Sequence, residues 1–275
     1  GNNNDWAASG IATHDHMLDS PTFNSDSNGG NFCTWNPLTI GSYSTLSEGN
    51  LLHTGASVTD GGWVLGTMGV TSGKWYWEVR ITTMRYSYPA VGLSAGSASA
   101  TQATTTGGPK NLNYFCGNGP GDILLAYNDT MWGTVTEVET GLATFSATEV
   151  MMCALDVDNK KMWFGKDGTW FNSGDPSAGT NPQYTWTATG FSILPSISGY
   201  DSSGSSVSYT NFGQDGTFLG TETAGGNADD TGYGNFLYDV PDSFLAMCSG
   251  NIPTADAVDP AQTNDDYPQK LFDAE

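Results

Sequence analysis

Gly73-Lys74-Trp75-Tyr76-Trp77-Glu78-Val79-Arg80-Ile81 decides the fold class of this 275-residue chain. Read with a period of two, Trp75, Trp77, Val79 and Ile81 share one face and Tyr76, Glu78 and Arg80 share the other. That pattern predicts a strand with a core face and a wetter face.

Working outward, Val150 to Val157 is nearly all apolar, and Asp158-Asn159-Lys160 punctuates it. Met162-Trp163-Phe164 then resumes, and Lys166-Asp167-Gly168 turns into Thr169-Trp170-Phe171. This spacing predicts a three-stranded meander. A third cluster runs Phe191 to Ile197, a loop from Ser198 to Ser205, then Ser206 to Phe212. Pro195 within it predicts an edge or a bulge, because proline has no N–H for a ladder. Short alternating segments from Asn36 onward, each closed by Gly, Pro, Asn or Asp, are those of an antiparallel sandwich. With 36 Gly and 12 Pro, a helical bundle is disfavoured. The organisation expected is an extended N-terminal arm (1–35), one β-sandwich (36–220) and a C-terminal extension and linker (221–275). Within the extension, Phe236-Leu237-Tyr238 and Phe244 to Cys248 are apolar enough to pack back on the domain. The segment from Ile252 carries Pro253, Pro260 and Pro268 and reads as a linker.

Composition narrows the partners. Hydrophobic residues make up 37% and charged ones 13%, enough for a large core and too little repulsion for wholesale disorder. A formal net charge of -21 repels nucleic-acid phosphates and anionic lipid, so neither nucleic acid nor membrane insertion is expected. No apolar run approaches the ~18 residues of a spanning helix, and no basic segment followed by an apolar one opens the chain. The chain starts at Gly1 without Met, as a processed protein or a piece of a longer one does. Cys33, Cys116, Cys153 and Cys248 form no CxxC pair; three disulfide connectivities are open in principle, and buried free thiols are the expectation.

Candidate chemistry is sparse. Glu137 and Glu139 alternate as paired glycosidase carboxylates would, but in a Thr-rich stretch with few aromatics. Glu78 has Arg80, not an acid, two residues on. Asp156 and Asp158 have the same spacing yet lead into a turn, where Asp caps backbone N–H groups. His14-Asp15-His16 lacks a fourth metal ligand, His53 stands alone, and no Gly-x-Ser-x-Gly elbow occurs. Asp201-Ser202-Ser203-Gly204 and Asn227-Ala228-Asp229-Asp230 offer oxygen ligands that could hold a structural calcium; no other cofactor is expected. Trp75, Trp77, Trp163 and Trp170 belong to the sandwich interior or its edge. Ligand-binding candidates are the aromatics placed in or beside loops: Tyr86, Tyr88, Tyr114, Phe115, Trp132 and Tyr200.

Gly73 to Val79, Val91-Gly92-Leu93, Leu155-Asp156-Val157-Asp158 through Gly168-Thr169-Trp170, and Leu194-Pro195-Ser196-Ile197 resemble, in order and spacing, the signature of SPRY domains. The resemblance covers roughly 48–212. Asp167 stands where that signature carries Asn, and Ser94 to Gly108 is a long Gly/Thr-rich insertion. The flanks Asp15 to Thr22, Asn31 to Leu38 and Phe244 to Pro253 are similar to the borders of SPRY modules in structural proteins of tailed bacteriophages. The resemblance implies an all-β, two-sheet antiparallel β-sandwich (a SPRY or concanavalin-like jelly roll) with extended N- and C-terminal arms. It also implies a non-enzymatic virion module of a fibre, tail or capsid decoration. Its expected partners are other virion subunits, a host-surface glycan or protein, and copies of itself in a homo-oligomer. An intracellular protein- or peptide-binding SPRY module is the alternative, and a glycan hydrolase the third reading.

Overall fold

A computed structural model describes residues 29–57, 62–83, 90–95, 111–115, 121–126, 135–142, 145–187, 189, 192–199 and 201–252. The outer parts of both expected arms, His14, His16 and Cys116 lie outside these residues, as does most of the 94–108 insertion. The strands are β1 (Trp35–Ile40), β2 (Ser44–Ser47), β3 (Leu52–Ser57), β4 (Trp63–Gly66), β5 (Lys74–Thr83), β6 (Ala90–Ala95), β7 (Asn111–Phe115) and β8 (Gly121–Ala126). They continue as β9 (Val135–Leu142), β10 (Val150–Asp156), β11 (Lys161–Lys166), β12 (Thr169–Trp170), β13 (Tyr184–Thr185), β14 (Ile193–Ser198), β15 (Asp201–Asn211) and β16 (Leu245–Ala246). Among the described residues these form two sheets, and the one helical element is the short 3-10 turn Phe171–Ser173.

One sheet has seven strands in the order β1-β4-β14-β6-β7-β8-β9. The other has nine, ordered β12-β11-β10-β5-β15-β3-β2, with β13 added beside β11 and β16 beside β5. The expected meander is β10-β11-β12. Its second turn holds Asp167 at φ 47 and Gly168 at φ 83, the two positive angles an Asp-Gly hairpin turn supplies. The period of two in β5 sorts its side chains as the sequence predicts. Trp75, Trp77, Val79 and Ile81 enter the core between the sheets with Met151, Cys153 and Leu155 of β10, Val91 and Leu93 of β6, and Ile193 and Ile197 of β14.

The other face of β5 departs from expectation. Tyr76, Glu78 and Arg80 are all buried rather than wet. Parts of the C-terminal extension fold back across this outer face and make a second core, while Phe212, Phe218 and Met247 join the first. In the second core Tyr76, Met152, Ala154 and Trp163 meet Phe32, Phe236, Phe244, Ala246 and Cys248. The Tyr76 ring meets Phe236 edge-on at 5.0 Å, and Trp163 meets Phe244 at 6.1 Å. A strand's polar face stays wet only when nothing covers it, and here the C-terminal extension does. β16 joins the sheet itself, pairing in parallel with β5, Leu245 opposite Trp75.

Two local expectations are corrected. β14 is interior, between β4 and β6, so Pro195 marks neither an edge strand nor a bulge. Pro195 pairs with Leu93 of β6 but stands one residue outside the β4 register, which begins at Ser196, so the missing N–H falls where that ladder ends. Asp201 to Gly204 belong to β15 instead of a loop, and a register shift against β3 between Asp201 and Ser206 accommodates them. Where this region is tightest, a Cβ on Gly55 would lie 2.7 Å from the Gly199 nitrogen.

Candidate functional site

The buried ionisable groups show what the molecule uses its charges for. Glu78 is 0% exposed. Its two carboxylate oxygens accept from the Tyr76 hydroxyl (3.0 Å), Asn211 Nδ2 (3.2 Å) and the backbone N–H groups of Leu237 (3.0 Å) and Tyr238 (2.8 Å). Burial pushes its pKa up to about 7, against the pull of these four donors. Next along the same face, the Arg80 guanidinium meets Glu222 at 3.0 Å. Both contacts tie the C-terminal extension to β5. A carboxylate closed off from solvent has no path to a substrate, so Glu78 acts as a staple.

Asp229 does the same work further out. Oδ1 accepts from Thr231 N (2.9 Å), Thr231 Oγ1 (2.6 Å) and Tyr233 N (2.9 Å), while Oδ2 accepts from Ala246 N (2.8 Å) and Asn251 Nδ2 (2.6 Å). Five donors occupy the lone pairs a calcium ion would need, which removes Asp229 from the expected calcium set. The side chains of the other loop offered for calcium, at 201–204, lie outside the described residues. Among the described residues no group of three His, Cys, Asp or Glu is placed to hold a metal.

The remaining acids follow the turn chemistry read from the sequence. Asp156 accepts from Asn159 N and Asn159 Nδ2, both at 2.8 Å, Asp158 from Gly73 N at 3.1 Å, and Asp167 from Val150 N at 2.9 Å. His53 does not stand alone, because Ser44 Oγ lies 2.8 Å from its Nε2. Burial lowers the His53 pKa to about 3, so the ring is neutral at physiological pH. Cys33, Cys153 and Cys248 are free and buried, as expected. Burial raises the Cys33 and Cys248 thiols to about 11. Glu137 and Glu139 lie on β9, a sheet edge, but the pairing with β8 slips between them, Glu139 facing Ile123 and Glu137 facing Leu124.

Of the aromatic candidates, Tyr86, Tyr88, Trp132 and Tyr200 lie outside the described residues. Tyr114 and Phe115 close β7, where the backbone places Tyr114 between Val91 and Ile123 and Phe115 between Ala90 and Asp122. They are strand residues rather than loop residues.

A cleft of about 620 Å³ that the sequence reading did not single out opens beside the β11-β12 hairpin. One wall is the hairpin and the loop that follows, 168–177; the other is 239–242 of the C-terminal extension. Trp170, Pro176, Val240 and Pro241 give it apolar lining, and Asp175, Asp239 and Asp242 are its exposed acids. Two features shape it. Gly165 lets β12 lie close, since a Cβ there would come within 2.8 Å of the Thr169 carbonyl oxygen and 3.0 Å of Trp170 Cε3. The Asp242 N–H donates to Ser177 Oγ at 2.9 Å, joining the two walls. The only sequence signal was Asp239-Val240-Pro241-Asp242 between two aromatic clusters, and nothing local says that this turn lands beside Trp170.

The model of the SPRY domain family matches residues 74–214. Among solved structures the chain is similar to the SPRY domain of human HERC1, at 19% identity and a TM-score of 0.44, covering 64% of this chain and 96% of that one. The TRIM65 PSpry domain shows 15% identity and a TM-score of 0.42, with 65% and 89% covered. Stonustoxin shows 18% identity and a TM-score of 0.40, with 65% of this chain and 27% of that one covered. No curated protein matches the chain.

Proposed function

The chain belongs to the SPRY domain family, and from that premise we propose that it is a non-catalytic binding module of a virion structural protein. It presents loops and the cleft beside Trp170 to a host-surface molecule or to neighbouring subunits, and it works as one of several copies. The observation that carries this reading is the way the two flanks close on each other. Cys33 N donates to Met247 O at 2.7 Å, Ser249 N to Asn31 O at 2.8 Å and Gly250 N to Gly29 O at 2.8 Å, and Phe32 bridges Cys248. The chain therefore comes into the sandwich and leaves it at one place, as suits a module carried within a longer polypeptide. These are also the flanks whose sequences are similar to the borders of phage SPRY modules. The buried acids support a binding role as well, since Glu78 and Asp229 are spent on holding the extension in place.

Purified chain should bind intact host cells or a virion subunit, and a density map of particles should place it on the fibre, tail or capsid surface. Binding to an intracellular protein, with no density on particles, would replace this reading with that of an intracellular interaction module. Turnover of a glycan would overturn both.

A further inference from the structure

The cleft beside Trp170 has a definite chemical character. Its apolar lining is an indole, a valine and two prolines, and the half-buried Trp170 packs against the second core, its ring edge-on to Tyr76 at 6.3 Å. Around it stand three exposed carboxylates and no cationic side chain. Lys161 of β11 is engaged, donating to the Gly179 carbonyl at 2.7 Å. Lys166 pairs with Glu149 at 2.8 Å, and Arg80 with Glu222. Among the described residues no lysine or arginine lines this concave surface, and the net charge of -21 adds to its negative potential.

We propose that the cleft takes an extended, cationic peptide segment of a protein partner. A Lys or Arg stem lies against the Trp170 indole, its charge sits among Asp175, Asp239 and Asp242, and an intervening proline or aliphatic residue rests on Val240 and Pro241. This deepens the binding role proposed above and rests on it. Charge complementarity selects this occupant, because a concave negative field attracts a cation and gives a neutral sugar ring no comparable gain. The indole adds to the selection, since a cation over its face is attracted by the ring quadrupole. Val240, Pro176 and Pro241 favour a ligand with apolar spacing between charges over a bare metal ion.

The test measures binding of a labelled peptide alternating Lys-Pro and Arg-Val steps by fluorescence anisotropy at low and high salt. A Glu-for-Lys/Arg version of the peptide and a glycan array serve as comparison ligands. Exposed charges contribute modestly one by one, so Asp239→Asn with Asp242→Asn weakens binding about tenfold at low salt and less at high salt. Trp170→Ala, at a central aromatic anchor, weakens it by about tenfold or more. Asp265→Asn with Asp266→Asn, an equal charge change in the tail beyond Ile252, leaves the affinity as it was. Should Trp170→Ala lose the native melting transition, the Asp pair, being exposed, carries the test alone. Equal weakening by both Asp pairs, which would mean general charge attraction, overturns the inference. So does glycan binding that depends on Trp170 in place of peptide binding. Partner capture by the whole chain that survives every cleft variant overturns the inference and leaves the proposed function standing, whereas no partner capture by the unmodified chain overturns both.

Discussion

Glu78 makes the stability of this protein fall as pH rises toward neutrality. Its carboxyl is pushed from an ordinary 4.5 to about 7 in the folded chain, mainly by burial. A raised carboxyl pKa means that the folded state holds the proton more tightly than the unfolded state, so the contribution to stability is complete below about 4.5 and is lost as pH rises through about 7. At about 1.4 kcal/mol per pH unit, a gap of that size amounts to roughly 3 kcal/mol, a large fraction of a typical domain's stability. The loss is concentrated where Glu78 holds the extension, at the Leu237 and Tyr238 amides. The assay is denaturant unfolding over a pH series for the unmodified chain and for Glu78→Gln. Other carboxylates titrate in both proteins, so the difference between the two curves isolates this group. Gln puts an NH2 among four donors, which costs some stability at every pH but adds no slope. The stability advantage of the unmodified chain should therefore shrink by about 3 kcal/mol from acid to neutral pH, with faster amide exchange at 237 and 238. Parallel curves would refute the reasoning and mean that the four donors fully offset the burial of the charge.

Three further outcomes follow from the same contacts. Asp229→Ala removes the acceptor shared by five donors and should destabilise by about 3 kcal/mol, read by thermal melting; an unchanged melting temperature would show that the 229–251 loop is held elsewhere. Gly165→Ala forces Thr169 and Trp170 aside and should cost about 1–3 kcal/mol while changing the cleft; a neutral effect would mean that β12 shifts freely. In the native protein at mildly alkaline pH, Cys33, Cys153 and Cys248 should resist alkylation, as peptide-resolved mass spectrometry would show, and react on unfolding. Rapid native labelling of any of the three would contradict the burial of these thiols.

The alternation in Lys74–Thr83, the apolar run Val150–Asp156 and the Asp167-Gly168 turn were enough to specify a sandwich and its central hairpins. These are local rules of strand period and turn geometry, written within a few residues of each other. The same reading assigned Tyr76, Glu78 and Arg80 to a wet face and Pro195 to an edge or bulge. Their surroundings are set by residues far along the chain, Leu237 and Tyr238 for Glu78 and the β4-β14-β6 order for Pro195. Asp229 stood open to calcium for the same reason, because its donors at Ala246 and Asn251 are known only once the extension has folded back. Period and turn residues thus determined the central strands by themselves. Which face is covered, which acid is stapled and where a cleft opens depend on contacts between distant segments, and only the tertiary structure decided them.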